Sequence, residues 1–398
     1  MAGLAASESI IVPDAKLEGA GIHVIVGEVT HIDPNEKKVT LGNGQALDYS
    51  KLFLGTGASP LMPPLPGNDL DGVVTLRGSE DAVKIKTLLS EKKPERLTFV
   101  GAGFITMEIA SLLAKANEQM DIFIVELLDR PLPAMLDRDM AEGVSEYLTQ
   151  KNIRLLTGRA VKKIIGTNGQ VSGVELDTGE GIETDLVFIN VGVKPNLQLA
   201  QAMGLEIGKF GIKVNPYQET SDPDILAGGD CVEKINLITG KPDAGCLRGP
   251  AVMQGRLAAK RLAGYNIPFP GVLNAGGCRM FDLVVTATGL TEEGARANGY
   301  DTVSAIVESR TKHGMIPGAK PWKIKLVFDR PTKKLIGGQI VSYGVGLARE
   351  IDAVSAFIMG GKTIEDLVVF TSACNPDISS EPSMEPITIA AEQALQKL

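Results

Sequence analysis

The most regular pattern of apolar and polar positions runs from residue 97 to 126, LTFVGAGFITMEIASLLAKANEQMDIFIVE. The apolar run 97–100 predicts a buried strand, Gly101 and Gly103 a tight turn, 104–116 a helix, and 121–125 a second strand ending in Glu126. Upstream, 23–33 and 38–41 alternate like strands, and Gly42-Asn43-Gly44 marks a turn before a buried strand over 47–54 that ends in Gly55-Thr56-Gly57. Prolines at 60, 63, 64 and 66 then break the chain. Short strands recur over 159–165, 170–177 and 185–191, and 249–263 predicts a helix with Ala251, Val252, Leu257, Ala258 and Leu262 as its small and apolar positions. Beyond Pro268 and Pro270, strands at 283–288, 302–307, 323–328 and 335–341 and helices at 346–359 and 387–396 predict an α+β module with its own core.

The strand-turn-helix of 97–116 implies chemistry. Glycines at 101 and 103 let the backbone approach a pyrophosphate, and the helix that opens with Phe104 and Ile105 turns its unpaired amides and partial positive charge toward it. Glu126 stands twenty residues after Thr106, the last position of the motif, where a carboxylate holds adenine-ribose hydroxyls and favours NADH over NADPH. Thr106 occupies the third glycine position, so its side chain must be absorbed between helix and strand.

With 398 residues and 44% apolar content, the chain supports two or three globular domains. A net charge of -8 and a pI near 5.2 offer no basic stripe for nucleic acid or anionic membrane. No stretch requires a membrane span or reads as a secretory signal, so a cytoplasmic protein is expected. Cys231, Cys246, Cys278 and Cys374 form no CxxC, and His23, His31 and His313 lie at no ligand spacing, so no metal is expected.

Four segments in order, LFLGTGASP (52–60), the 97–126 unit, TSDPDILAGGDC (220–231) and GPAVMQGRLAAKRLAG (249–264), resemble the pyridine nucleotide-disulfide oxidoreductases, in the branch of CoA-disulfide reductases, NADH oxidases and persulfide reductases. The resemblance implies an α/β fold of three-layer, Rossmann-like FAD- and NAD(P)-binding domains with a C-terminal α+β dimerisation domain. It divides the chain into an FAD-binding remnant (1–78 and 206–268), an NAD-binding domain (79–205) and a dimerisation domain (269–398). It implies that Thr56, Gly57, Gly229 and Asp230 hold FAD, with Asp230 on the ribityl chain. The helix opening with Gly249, Pro250 and Ala251 would direct its N-terminal amides at the flavin. Glu108 matches a glutamate near the nicotinamide, with a solvated or capping role as the alternative, and Gly192, Pro195 and Asn196 match a loop beside the NAD.

The sequence departs from that family at its start. A first strand-GxGxxG-helix unit for the FAD adenosine takes about 30 residues, whereas 22 residues precede the strand expected from His23 and none makes that pattern. The fragment 1–7 resembles the start of that unit's helix. No cysteine precedes Cys231, so the family's early redox cysteine is missing; Cys374, which the resemblance brings toward a partner's flavin in a homodimer, is the candidate redox thiol. The expected function is hydride transfer from NADH to FAD and on to a disulfide, persulfide, oxygen or carrier protein. The competing expectation is a truncated or split NAD-binding subunit whose FAD half is supplied by a further chain.

Overall fold

A computed structural model describes residues 12–398, so the fragment 1–7 lies outside the described residues. The described residues form two compact units, one of residues 12–59, 193–236 and 241–272, the other of 60–192, 237–240 and 273–398.

The larger unit is built on a five-stranded parallel sheet ordered Val73–Val74, Leu186–Ile189, Arg96–Val100, Asp121–Glu126, Ile153–Thr157. The apolar run predicted at 97–100 is its middle strand, buried on both faces, with Phe99 stacked on Phe188 at 4.4 Å. Continuous rather than alternating hydrophobicity is what a parallel strand covered on both faces requires. The helix Phe104–Ala116 coincides with its predicted range and buries Met107, Ala110 and Leu113, one stripe at helical spacing. A three-stranded antiparallel sheet, Val161–Thr167, Gln170–Leu176 and Gly181–Glu183, follows.

The same unit contains the α+β module. Its antiparallel sheet runs Gly276–Met280, Leu283–Gly289, Leu335–Tyr343, Pro321–Asp329, Thr302–Arg310, and its helices Glu350–Met359 and Pro386–Leu395 bury Val354 and Ile387 in a core with Trp322, Ile324 and Leu326. Between this module and the parallel sheet lies a polar knot. Lys325, 2% exposed, is 3.1, 2.7 and 2.9 Å from carboxylate oxygens of Asp137, Asp139 and Glu292. Gln339 donates to Asp137 at 2.6 Å and accepts the Asp137 N–H at 2.8 Å.

The smaller unit joins an antiparallel meander, Val29–Asp33, Lys38–Leu41 and Ala46–Asp48, to a parallel pair, Leu52–Leu54 with Ile225–Ala227. Ile32, Val39, Leu54, Ile225, Ala227 and Cys231 form its core.

Three expectations about elements need correction. The first strand begins at Val29, not at 23: Ile22, Val24, Ile25 and Val26 are exposed and join no ladder among the described residues, because alternation without a pairing strand does not make a sheet. The strand expected over 47–54 is two, separated at 49–51. The helix expected over 346–359 divides into Val345–Ala348 and Glu350–Met359 at Arg349, whose ψ of −8° flattens the turn. The helices Ser79–Lys92 and Arg138–Gln150 and the strand Gly276–Met280 were not anticipated.

Candidate functional site

Two glycine turns, one in each unit, carry most of the predicted site residues. In the larger unit, Gly101 has φ +93°, and a Cβ there would lie 2.5 Å from the carbonyl oxygen of Asn190. Only glycine meets both demands. Gly103 is the N-cap of the Phe104–Ala116 helix; no side chain caps this end, and a Cβ on Gly103 would meet nothing within 4 Å. The first-turn amides of Phe104 and Ile105 therefore lie beside open space at a positive helix end, a fit for a nucleotide pyrophosphate. Thr106 is fully buried, and its hydroxyl accepts a hydrogen bond from the Asn190 side chain at 3.1 Å, which is how the helix-strand contact absorbs it.

Glu126 ends the neighbouring strand and is 8% exposed. One carboxylate oxygen accepts the N–H of Ala102 at 2.7 Å, and the other that of Leu128 at 2.8 Å. Each oxygen has a second lone-pair direction, so the acid both ties the glycine turn to the next loop and can take ribose hydroxyls. Gly192, at φ +116°, follows the strand Leu186–Ile189. Gly101, Glu126 and Gly192 thus share the carboxyl end of the parallel strands, the end at which such sheets bind ligands. A concavity of about 820 Å³ lined by Lys93, Arg96, Asn117 and Asp121 lies at the other end.

Glu108 lies one turn into the helix. It is half-buried, and its carboxylate accepts the Arg279 N–H at 3.4 Å. Burial raises its pKa, against that hydrogen bond. Cys278 is buried beside it, with Sγ 3.7 Å from the Phe104 carbonyl; burial first, and the Glu108 charge second, push its thiol up.

In the smaller unit, the strand Ile225–Ala227 delivers Gly228, Gly229 and the half-buried Asp230. A Cβ on Gly228 would come within 2.9 Å of the Phe53 ring, so this glycine permits packing. Gly229 has φ +84°, and its nearest neighbour to a Cβ would be Ala251 at 3.7 Å. The helix Arg248–Leu262 starts alongside; it has no side-chain cap, and a Cβ on Gly249 would meet nothing within 4 Å. Pro250 and Ala251 complete its first turn. Val252 and Leu262, two of the helix's apolar positions, are 43% and 50% exposed, because the buried face is Gln254, Leu257 and Ala258. An open glycine turn beside an uncapped helix end fits a phosphate- or flavin-bearing cofactor by the same physics as the first turn.

Thr56 and Gly57 grip the chain at 196: the Thr56 hydroxyl donates to the Asn196 carbonyl at 2.9 Å, and Asn196 Nδ2 donates back to the Thr56 carbonyl at 2.9 Å. Cys374 is exposed in a loop, with Sγ 3.5 Å from the Ser372 carbonyl. Among the described residues, no group of three or more His, Cys, Asp or Glu is placed to hold a metal, and no helix is long and apolar enough to cross a membrane.

Two residues escaped the sequence reading. Gln254, 1% exposed, accepts the Gly229 N–H at 3.0 Å through its side-chain oxygen. Lys234, 2% exposed, points its ammonium at three backbone carbonyls. A glutamine three and four residues before Leu257 and Ala258 on an apolar face was the available signal for the first.

Two open glycine turns, each beside an uncapped helix N-terminus, together with a five-stranded α+β module, fit the class of nucleotide-dependent oxidoreductases with two cofactor sites. Similarity to known proteins places it further. The family model described as pyridine nucleotide-disulphide oxidoreductase matches residues 3–245, and that of the family's dimerisation domain matches 277–385. The chain is 37% identical over 380 residues to an NADH oxidase of Methanocaldococcus jannaschii, covering 94% of this chain and 83% of that one. It is 32% identical to a CoA-dependent NAD(P)H sulfur oxidoreductase of Pyrococcus furiosus, with 94% and 83% covered. The solved NAD-dependent persulfide reductase from A. fulgidus superposes with a TM-score of 0.91 at 34% identity, covering 96% of this chain and 71% of that one. The chain belongs to the pyridine nucleotide-disulphide oxidoreductase family and is an FAD-dependent NAD(P)H oxidoreductase. Nothing in these matches supports the expectation that a further chain supplies an FAD half.

Proposed function

We propose that this chain oxidises NADH at the 101–126 turn of the larger unit and passes the electrons, through FAD held at the 228–251 turn of the smaller unit, to a small disulfide, persulfide or oxygen acceptor. FAD supplies the two-electron chemistry; the chain's own groups bind and orient. The amides of Phe104 and Ile105 hold the NADH pyrophosphate. Glu126 accepts the ribose hydroxyls, and a buried carboxylate there repels the extra phosphate of NADPH. Glu108, half-buried with a raised pKa, lies at the second turn of the same helix and is the side chain we assign to the nicotinamide end. On the FAD side, Gly229, Asp230 and the first-turn backbone of Gly249, Pro250 and Ala251 provide the contacts, with Thr56 and Gly57 holding the adjoining loop. Preorganised dipoles of this kind need no acid-base dyad.

The observation that carries the reading is the pair of open glycine turns, each against an uncapped helix N-terminus. The acceptors follow the activities of the relatives, an NADH oxidase and sulfur or persulfide reductases. Cys374, the exposed cysteine among the four, is the candidate thiol on the acceptor side. The match to the dimerisation domain and exposed Val345, Met359, Val369 and Ile378 on that module support a homodimer. Four cysteines without a disulfide fit a cytoplasmic setting.

The test is the visible spectrum of the purified chain supplied with FAD, before and after anaerobic NADH. A retained flavin band that bleaches with NADH, and more slowly with NADPH, is expected; a chain that retains no flavin at any FAD concentration overturns the reading. Air, CoA disulfide or polysulfide added to the reduced protein then identifies the acceptor by reoxidation rate.

A further inference from the structure

Lys234 lies in the smaller unit, four residues beyond Asp230, and is 2% exposed. Its ammonium donates to the carbonyls of Gly229 at 2.7 Å, Ala244 at 2.9 Å and Val232 at 3.1 Å. Three donors meet three carbonyls, so every N–H of the charged form is satisfied. The stem is held as tightly as the head. A Cβ built on Gly245, itself at φ +48°, would lie 2.8 Å from Lys234 Cδ, so the chain at 244–245 closes over the lysine with no room for a side chain.

Those carbonyls belong to two different segments. Gly229 and Val232 flank the glycine turn that carries Asp230, and Ala244 opens the short link through Gly245 to Leu247, the N-cap of the Arg248–Leu262 helix. The two segments have a second tie, from the Gly229 N–H to the Gln254 side chain. Gly229 is therefore fixed on both sides of its Cα, its N–H by Gln254 and its carbonyl by Lys234. Burying an ammonium costs several kcal/mol by order of magnitude, and a hydrophobic side chain of similar length would fill the space more cheaply. What a hydrophobic side chain cannot do is hold three carbonyls at one point.

We propose that Lys234 is a positioning residue for the flavin cofactor: it locks the Gly229 turn to the link preceding the 248–262 helix, so that both sets of backbone groups are preset for FAD. The inference rests on the assignment of FAD to this turn. Preorganisation of this kind adds to affinity by removing the ordering that binding would otherwise have to impose.

The charge state gives a handle. Burial lowers the Lys234 pKa, opposed by the neighbouring Cys246, Asp230, Cys231 and Asp243, which are the titratable groups facing it from the 229–231 turn and from residues 243–246. As pH rises toward that lowered pKa, the ammonium loses a proton and one of its three donors, and the clamp loosens. FAD affinity should therefore decline with rising pH at values below the ordinary lysine range, and replacing the lysine should remove that part of the decline.

The experiment compares wild type with K234M and K234Q. FAD dissociation constants are measured by flavin fluorescence from pH 7 to 10, and NADH dissociation constants on the same preparations report whether the larger unit is intact. The expected result is FAD binding weakened at least tenfold at pH 7 in both variants, NADH binding unchanged, and a flatter FAD pH profile than wild type. A purely structural lysine would alter the denaturation midpoint without altering the pH profile. Variants that bind FAD with wild-type affinity and wild-type pH profile overturn the inference and leave the FAD assignment standing. If a variant does not fold, the wild-type profile decides alone: affinity that stays flat to pH 10, with circular dichroism unchanged, overturns the clamp. A wild type that binds no FAD at all removes the assignment itself, and the inference with it.

Discussion

Substituting Gly103 with alanine separates binding from folding at the NADH turn. Gly103 has φ −77° and ψ 175°, which any residue adopts, and a Cβ there would meet nothing within 4 Å. The folded protein should therefore tolerate G103A: the reduced entropy of the unfolded chain contributes about 0.4–1 kcal/mol, offset by alanine being a poorer N-cap than glycine, so the denaturation midpoint should move little. The space entered by the methyl group is where the pyrophosphate must approach the first-turn amides. A hydrogen bond to a charged group contributes about 1.5–3 kcal/mol, so displacing the phosphate from one amide weakens NADH binding roughly 10- to 150-fold.

Gly101 supplies the contrast. At φ +93°, with the Asn190 carbonyl oxygen 2.5 Å from where the alanine methyl would sit, G101A meets backbone strain of about 1–3 kcal/mol and overpacking of about 1–3 kcal/mol. Its first effect is on stability, about 2–6 kcal/mol together. Urea denaturation and NADH titration by calorimetry on both variants give the comparison. A stable G103A that binds NADH with wild-type affinity would refute the placement of a pyrophosphate at this turn.

Further outcomes follow from the buried polar groups. E126A removes the acceptor of the buried Ala102 N–H and of the N–H of the exposed Leu128, at about 1–3 kcal/mol for the buried donor left unsatisfied; urea denaturation checks it, and an unchanged midpoint would contradict the geometry. K325M leaves Asp137, Asp139 and Glu292 without their cation and should destabilise the larger unit by about 3–5 kcal/mol. Burial raises the Asp137 and Glu292 carboxyls, but for Asp137 the Glu292 N–H, Gln339 and Lys325, and for Glu292 Lys325 and Ser304, outweigh it and hold both below their ordinary range. Burial lowers Lys325, but hydrogen bonds to Asp139 and Glu292 and the charges of Asp137 and Glu292 outweigh it and hold it above 10.5. Lowered carboxyls stabilise above their unfolded pKa and lose that as pH falls through the folded one; the raised lysine stabilises below 10.5 and loses that as pH rises through its folded pKa. Thermal melts from pH 3 to 11 should therefore show a neutral plateau that K325M lowers. Tyr147, pushed up to about 12 by burial and then by its hydrogen bond to Asp282, should appear in the wild-type-minus-Y147F ultraviolet titration with a midpoint near 12; a midpoint near 10 would refute that burial.

The 97–126 unit was legible because each local signal agreed with its neighbours: a doubly buried strand, two glycines, a helix with one apolar stripe, and an acid at the end of the next strand. The Arg248–Leu262 helix was legible in extent but not in orientation, since small residues are compatible with several faces and the buried one turned out to carry Gln254. The segment 22–26 misled because strand patterning describes a side-chain environment, whereas a strand exists only when another supplies its hydrogen bonds. Helix Arg138–Gln150 was missed although its buried stripe Met140, Ala141, Val144, Tyr147 and Leu148 has helical spacing, because charged residues and a glycine at 143 dilute that signal. The role of Lys325 was illegible in principle: a lysine within a strand reads as a solvent-facing position until three carboxylates distant in sequence are brought to it.

The two turns solve the same problem with opposite braces. A glycine peptide opened toward a phosphate has few side-chain contacts of its own, so something behind it must fix its orientation. At the Gly101–Gly103 turn, which we propose for NADH, the brace is a carboxylate, Glu126, which accepts the Ala102 N–H and so withdraws that amide from a ligand while leaving those of the helix's first turn free. At the other turn the brace is a donor-acceptor pair: Lys234 takes the Gly229 carbonyl and Gln254 takes the Gly229 N–H. The difference has a chemical consequence. An acceptor brace places negative charge beside the site and discriminates against additional phosphate, whereas a buried ammonium places positive charge beneath the site and favours the more anionic form of whatever is bound above it. Under the proposed function, with NADH at the first turn and FAD at the second, that polarity would favour the reduced flavin.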